Sequence, residues 1–242
     1  MANGKASILY CGHSAAILTT ETGKRIALDP WLEGNPRCPA RLQDPGKLDF
    51  IGLSHGHSDH ASSALALAKM TKATVFATYE LSMLLIKDGL SSDQLQPMNK
   101  GGTIDLGAGI AVTLTHAFHS SSYDASDRST NYAGEPCGIV VRLESGRCVY
   151  FAGDTALFSD MALIQKKFKP VLALLPIGDR FTMGPDDAAE AAAMLKPEAV
   201  IPIHYATFPP LSGTPEQFGE ELKKRGVTAK LVALEPGGEY SF

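Results

Sequence analysis

Cysteine is scarce in this chain, and charge of either sign is nowhere concentrated. The four cysteines, Cys11, Cys38, Cys137 and Cys148, have no close-paired spacing. They read as reduced, buried thiols of a cytoplasmic protein, and they are a weaker source of metal ligands than the histidines. Net charge is −4, with acids and bases scattered. That leaves no electrostatic footprint for nucleic acid and no polybasic patch for a membrane surface. The small basic clusters Lys166-Lys167-Phe168-Lys169 and Lys223-Lys224-Arg225 fit the solvated ends of helices. No apolar run approaches the roughly 20 residues needed to span a bilayer. The opening Met-Ala-Asn-Gly-Lys leads into a short strand and not into a signal-peptide core, so the expected location is cytoplasmic.

What the chain does have is apolar content: 44% of its 242 residues are hydrophobic, enough for a sizeable core. Short strand-like runs appear at 7–10, 15–19, 25–28, 50–53, 73–76, 110–115, 138–143, 148–151, 171–175, 199–203 and 230–233. Helical patterns lie at 61–70, 79–87 and 186–195, the last opened by Pro185. Thr214-Pro215-Glu216-Gln217 supplies a cap residue, a first-turn proline and a capping-box glutamine. Strands and helices alternate without a linker or low-complexity segment, so the class is α/β or α+β, helices covering sheets, in one domain over 1–242. An internal echo suggests two similar halves. AAILTTETGKRIALD and GIVVRLESGRCVYFAGD each read strand, glycine turn, strand, aspartate. Each is followed downstream by an apolar strand ending in histidine, His55 and His204.

The histidines are unevenly placed. Three of the seven fall in Ser54-His55-Gly56-His57-Ser58-Asp59-His60, straight after an apolar strand. His119, Asp154 and His204 also follow apolar runs. Polar side chains at strand exits are where sites form, and imidazole with carboxylate suits Zn2+ and its divalent neighbours. His55 and His57, two apart in an extended segment, point the same way and can grip one ion. Asp59 and His60, after the chain turns, can reach a second, and a carboxylate such as Asp154 can bridge both. Two divalent ions about 3.5–4 Å apart can generate a hydroxide nucleophile at neutral pH, so no protein nucleophile is required. His116 and His119 compete for one position, because alternation along an extended segment puts them on opposite faces.

His55-Gly56-His57-Ser58-Asp59-His60 resembles the HxHxDH signature of the metallo-β-lactamase-fold hydrolases. Further family motifs find matches in order: Asp29 in LDPWL, His119 in HAFHSSS, Asp154 in FAGDT and His204 in IPIHYATF. The wording around GHSA, LDPWLEGNP, LPIGDRFTMGP and IPIHYATFP is similar to a "metal-dependent hydrolase" branch near ascorbate-6-phosphate lactonases and the N-acyl-phosphatidylethanolamine phospholipase D group. The resemblance implies a four-layer αββα sandwich with a dinuclear site at one edge of the two sheets. It assigns His55, His57 and His119 to one metal and Asp59, His60 and His204 to the other, with Asp154 bridging. It makes Asp59 the proton acceptor as well. Asp29 would hydrogen-bond behind the ligands and fix imidazole orientation, and His13 is read as a structural or supporting residue on the first hairpin. The cofactors implied are two divalent ions, Zn2+ first, with Mn2+ or Fe2+ also compatible.

The same resemblance narrows the chemistry. Oxygen-reducing diiron relatives carry an acid where His57 stands, and nucleic-acid-cutting relatives carry an extra domain or basic arm that this chain lacks. The reading is therefore a hydrolase acting on a small molecule. A lactone or other carboxylic ester comes first, a phosphodiester second, and amides lower. A non-catalytic metal-binding module is the rival class. Two loops, 30–46 and 120–134, are expected to cover the site. Trp31 and Arg180 are the candidate pocket residues. Arg180 could clamp an anionic substrate group, or form an ordinary surface ion pair with Asp179 or Asp187.

Overall fold

Most strands carry apolar residues at successive positions, which demands cover on both faces of a sheet, and the computed structural model of residues 4–242 provides it. Met1–Asn3, the start of the N-terminal lead-in, lie outside the described residues. The first sheet sets β1 (Ser7–Gly12), β2 (Ala15–Thr19), β3 (Arg25–Leu28), β4 (Phe50–Gly52), β5 (Thr74–Thr78) and β6 (Leu95–Met98) side by side in chain order. Its connections carry α1 (Ser58–Ala61), α2 (Ala64–Thr71) and α3 (Tyr79–Lys87). The second sheet contains β7 (Thr103–Gly107) and β8 (Ile110–His116). A separate hairpin, β9 (Ser122–Asp124) and β10 (Thr130–Tyr132), interrupts it before β11 (Cys137–Arg142) and β12 (Cys148–Phe151). After α4 (Met161–Phe168) come β13 (Leu172–Pro176), α5 (Pro185–Leu195), β14 (Ala199–Ile203), α6 (Pro215–Lys224) and β15 (Lys230–Leu231). The last strand, β16 (Glu239–Ser241), returns to the first sheet and pairs with β1.

Alternation along the strands defines the layers. Ile8, Tyr10, Ala16, Leu18, Ile26 and Leu28 of the first sheet meet Val112, Leu114, Ile139 and Val141 of the second in one buried cluster. The intervening residues Cys11, Ala15, Ile17 and Ala27 face the other way, under Ala64, Leu67 and Ala68 of α2 and Leu81 and Leu85 of α3. The far side of the second sheet is covered by α4, α5 and α6 through Met161, Ile164, Ala188, Ala192, Phe218 and Leu222. The result is the helix–sheet–sheet–helix sandwich expected from the resemblance. The capping box at α6 is also present: Gln217 N donates to Thr214 Oγ1 (3.3 Å) and Thr214 N to Gln217 Oε1 (3.0 Å).

Each sheet begins antiparallel and finishes parallel. In the first, β1–β2–β3 are antiparallel and β3–β4–β5–β6 parallel. In the second, β7–β8–β11–β12 are antiparallel and β12–β13–β14–β15 parallel. Asp29 and Asp154 therefore stand at matching places, just beyond the last antiparallel strand. The histidines of the echo do not match as closely: His55 follows the first parallel strand, whereas His204 follows the second. The segment 120–134, expected as a covering loop, contains the β9–β10 hairpin. The segment 30–46 is irregular apart from one 3-10 turn at Ala40–Leu42.

Candidate metal centre

The parallel strands of both sheets end on one edge of the sandwich, and the candidate residues lie just past those ends. Three of the turns there use the left-handed backbone region at non-glycine residues: His13 (φ 56°), Asp29 (φ 43°) and His204 (φ 55°). This conformation is costly for such residues and recurs where a fold fixes functional side chains. The two sheets are tied at this point, because His204 N donates to the His13 carbonyl (2.8 Å). His57 is the N-cap of α1, a single turn that swings Asp59 and His60 inward. Gly56 allows this loop to lie against the β9–β10 hairpin, since a Cβ there would stand 2.7 Å from the Ser122 carbonyl oxygen.

Six of the seven histidines gather here. His55, His57 and His119 form one group whose donor atoms all lie within 4.8 Å of one another, and His13, Asp59, His60 and His204 form a second. Asp154 spans the two: its Oδ2 is 3.0 Å from His204 Nε2, 3.3 Å from His60 Nε2 and 3.6 Å from His119 Nε2. His116 is outside the cluster, packed edge-on to Phe118 and Phe158, with Lys100 Nζ donating to its Nδ1 (3.4 Å).

Hydrogen bonds from behind fix which ring nitrogens face the centre. Buried Asp29 accepts from Ser54 N (2.7 Å), from Ser54 Oγ (2.5 Å) and from His60 Nδ1 (2.8 Å). The Ser54 hydroxyl proton is thereby committed to Asp29, so Ser54 Oγ accepts from His55 Nδ1 (2.9 Å). Both imidazoles are then protonated at Nδ1 and turn Nε2 inward as acceptors. His55 Nε2 lies 3.0 Å from His57 Nδ1. At the centre, His60 Nε2, His119 Nε2 and Asp154 Oδ1 are buried without a hydrogen-bond partner. Buried polar atoms are rarely left so, and this arrangement of inward lone pairs fits a divalent cation.

Electrostatics agree. Burial lowers the pKa of His55, and more weakly of His57 and His119. Burial also opposes charge on His60, but Asp154 and Asp29 on either side of it outweigh burial and push its pKa well up. Burial would raise Asp154, yet His204 and His60 hold it well below the usual carboxylate range. The centre thus stabilises positive charge, which a proton or a metal can supply. His13, fully buried, is pushed down to about 4 by burial. Its Nε2 is 3.2 Å from Asp59 Oδ2 and its Nδ1 is 2.9 Å from Thr207 Oγ1. Its ring thus stands beside the donor atoms of Asp59, His60 and His204 and holds one oxygen of Asp59.

A cavity of about 350 Å³ opens over the cluster, reached by His57, Asp59, His119, Asp154 and His204 and walled by Ser120, Ser122, Asp124 and Phe181. Trp31 does not line it. Its ring packs edge-on to His13 (5.3 Å between centroids) and stacks with Phe208 (5.9 Å). Arg180 is exposed, forms no ion pair among the described residues, and lies over the Phe181 ring at 5.6 Å. The expected pairing with Asp179 or Asp187 is thus replaced by a cation–π contact. Its Asp179 contact is through the backbone, Arg180 N donating to Asp179 Oδ1 (2.7 Å). Sequence reasoning did not single out Ser54, Asp124, Phe181 or Thr207. Ser54 stands beside the histidine motif, and Phe181 and Thr207 lie within the stretches LPIGDRFTMGP and IPIHYATFP, but none of these carried a role of its own.

Comparison with known proteins gives the family and the fold. Residues 24–205 match the family described as "Beta-lactamase superfamily domain". A "UPF0173 metal-dependent hydrolase" of Rubrobacter xylanophilus is 47% identical over 236 residues, 98% of this chain and 96% of that protein. One from Myxococcus xanthus is 47% identical over 97% of this chain and 82% of its own length. Among solved structures, Igni18, described as a novel metallo hydrolase from the archaeon Ignicoccus hospitalis, superposes with a TM-score of 0.86 at 35% identity, covering 98% of both chains. With family match, relatives and fold in accord, the chain belongs to the metallo-β-lactamase superfamily, as a metal-dependent hydrolase of the UPF0173 group.

Proposed function

We propose that the cluster binds two divalent cations and that the protein hydrolyses a lactone or other carboxylic ester of a small molecule. His55, His57 and His119 would hold one ion, and Asp59, His60 and His204 the other, with Asp154 between them. The observation that carries this reading is the position of Asp154 Oδ2, within 3.0–3.6 Å of histidines from both groups. Zn2+ suits an imidazole-rich set, and Mn2+ and Fe2+ are compatible. Such ions, when bound, activate water and polarise the scissile carbonyl.

The chain's own residues supply orientation and proton handling. Asp29 and Ser54 hold His55 and His60 in the tautomer that faces inward. His13 fixes one oxygen of Asp59, and the side chain of Asp59, 29% exposed, reaches the cavity, where its other oxygen can take a proton from the attacking water. The two sheets act as one domain made of two related halves, each delivering an aspartate from its last antiparallel strand. No helix among the described residues is long and apolar enough to cross a membrane; we propose that the protein works in the cytoplasm.

The test is a panel of lactones, aryl esters and bis-aryl phosphodiesters, assayed with protein reconstituted in Zn2+, Mn2+ or Fe2+, before and after chelation. Ester turnover that disappears with the chelator and returns with metal is expected. His57→Ala should lower that turnover more than 100-fold while the circular dichroism spectrum is retained. A fully active His57→Ala protein would remove the assignment.

A further inference from the structure

The β9–β10 hairpin belongs to neither large sheet, and its β9 strand supplies Ser122 and Asp124 to the cavity wall. Its pleat divides it cleanly. Tyr123 points inward, 5% exposed, into the cluster under α2 and α3. Ser120, Ser122 and Asp124, spaced by two, all line the cavity.

The hairpin is pinned at both ends. At its root, Gly56 N donates to Ser121 Oγ (3.1 Å), and Ala133 N donates to the Ser121 carbonyl (3.2 Å). Near its tip, Asp88 at the end of α3 accepts from Tyr123 Oη (2.7 Å), from Ser126 N (3.0 Å) and from Ser126 Oγ. Asp124 is thus held in place beside the cluster. One of its oxygens accepts from Thr130 Oγ1 (2.7 Å), while the other has no hydrogen-bond partner among the described residues. It is close enough to His57 to act on that residue's charge. No lysine or arginine lines the cavity, and Arg180 is turned onto the Phe181 ring outside it.

We infer that Asp124 sets the substrate class: its fixed carboxylate repels an anionic group next to the scissile bond and selects uncharged esters over phosphodiesters. This rests on the proposed hydrolytic reading and deepens it. On that reading Asp59 and Asp154 are ligands of the ions, which balance their charge. Asp124 is no ligand in that reading and faces the cavity with no cationic side chain among the described residues beside it, so its charge works against the pull of the bound ions on an anionic substrate. Across a cavity open to solvent, like-charge repulsion is on the order of a tenfold effect on binding.

The experiment compares the metal-reconstituted wild type with Asp124→Asn and with Asp127→Asn, the latter an exposed charge at the tip of the same hairpin that does not line the cavity. Two quantities are read. One is the ratio of kcat/KM for bis(p-nitrophenyl) phosphate to that for a neutral aryl ester. The other is the Kd of dimethyl phosphate, a non-reacting diester anion, measured by calorimetry. In Asp124→Asn the ratio should rise about tenfold and dimethyl phosphate should bind about tenfold more tightly, both effects shrinking with added salt. Asp127→Asn should move neither by more than about twofold. An unchanged ratio and Kd in Asp124→Asn, or a wild type that prefers the phosphodiester, overturns the inference. Absence of turnover of either compound by every protein defeats the hydrolytic reading instead, and the calorimetric comparison still decides whether Asp124 repels anions.

Discussion

Asp29 and Asp154 occupy corresponding positions at the ends of corresponding strands, yet their surroundings differ sharply. Asp29 is fully buried and accepts three hydrogen bonds, two from Ser54 and one from His60. Asp154 is nearly as buried, but one of its oxygens has no partner and the other faces three histidines. The same residue type at the same topological place is therefore a support in one half and a part of the centre in the other. The difference comes from the neighbours. Ser54 and the Nδ1 side of His60 close in on Asp29, whereas Asp154 meets the Nε2 sides of three histidines.

Breaking each aspartate in turn sharpens this contrast. Asp154→Asn should have the largest effect: loss of at least one bound metal and a fall in turnover of about 1,000-fold or more, since it removes the carboxylate that lies 3.0–3.6 Å from histidines of both donor groups. Metal analysis together with steady-state kinetics checks this. Asp29→Asn should leave the donor atoms in place but loosen their orientation, weakening metal affinity about 10–100-fold. Competition with a chromophoric chelator measures it. Equal losses in the two variants would erase the distinction between them.

A smaller effect is expected at Gly153, which connects the two. Its φ is 61°, and a Cβ there would lie 2.5 Å from that of Ser54, the residue that holds Asp29. Gly153→Ala should therefore destabilise the fold by roughly 2–4 kcal/mol through left-handed strain and overpacking, read as a drop in the urea midpoint of the metal-free protein.

The smallest effect concerns the hairpin that walls the cavity. Hydrogen bonds from Ser126 and Tyr123 hold the Asp88 pKa below its ordinary value. A depressed carboxylate pKa contributes stability that is complete above the unfolded value and is lost as pH falls through the folded one. Amide protection in residues 122–132 should accordingly be constant at neutral pH and decline below about pH 4, with no such decline in Asp88→Asn. Hydrogen exchange, corrected for its intrinsic pH dependence, reads this directly.

Central elements were legible in the sequence for a physical reason. Strands 15–19, 25–28, 148–151 and 199–203 are buried on both faces and bounded by glycine, proline or aspartate, so hydrophobic pattern and turn chemistry agree. Helix α6 announced itself by its capping box. The strands that went unread are those that bury little: β6, β7 and β16 lie at sheet edges, and β9 and β10 form a separate polar hairpin. β6 contains Pro97, which an edge strand tolerates. Helix α4 buries only Met161 and Ile164, too few positions to give a clear period. At the centre, the motif residues His55 to His60, His119, Asp154 and His204 could be read from strand exits and resemblance. The full involvement of His13 could not, since a left-handed turn on the first hairpin carries it across to His204. Asp124 was equally silent, because a short polar hairpin has no hydrophobic pattern to show which face it turns to the cavity.

The central claim is that two cations share the carboxylate of Asp154. Anomalous diffraction from crystals of protein reconstituted with Zn2+, collected on either side of the zinc edge, tests it most directly. Two peaks about 3.5–4 Å apart, one against His55, His57 and His119, the other against Asp59, His60 and His204, with Asp154 between them, are predicted. A single peak, or peaks away from Asp154, would contradict it.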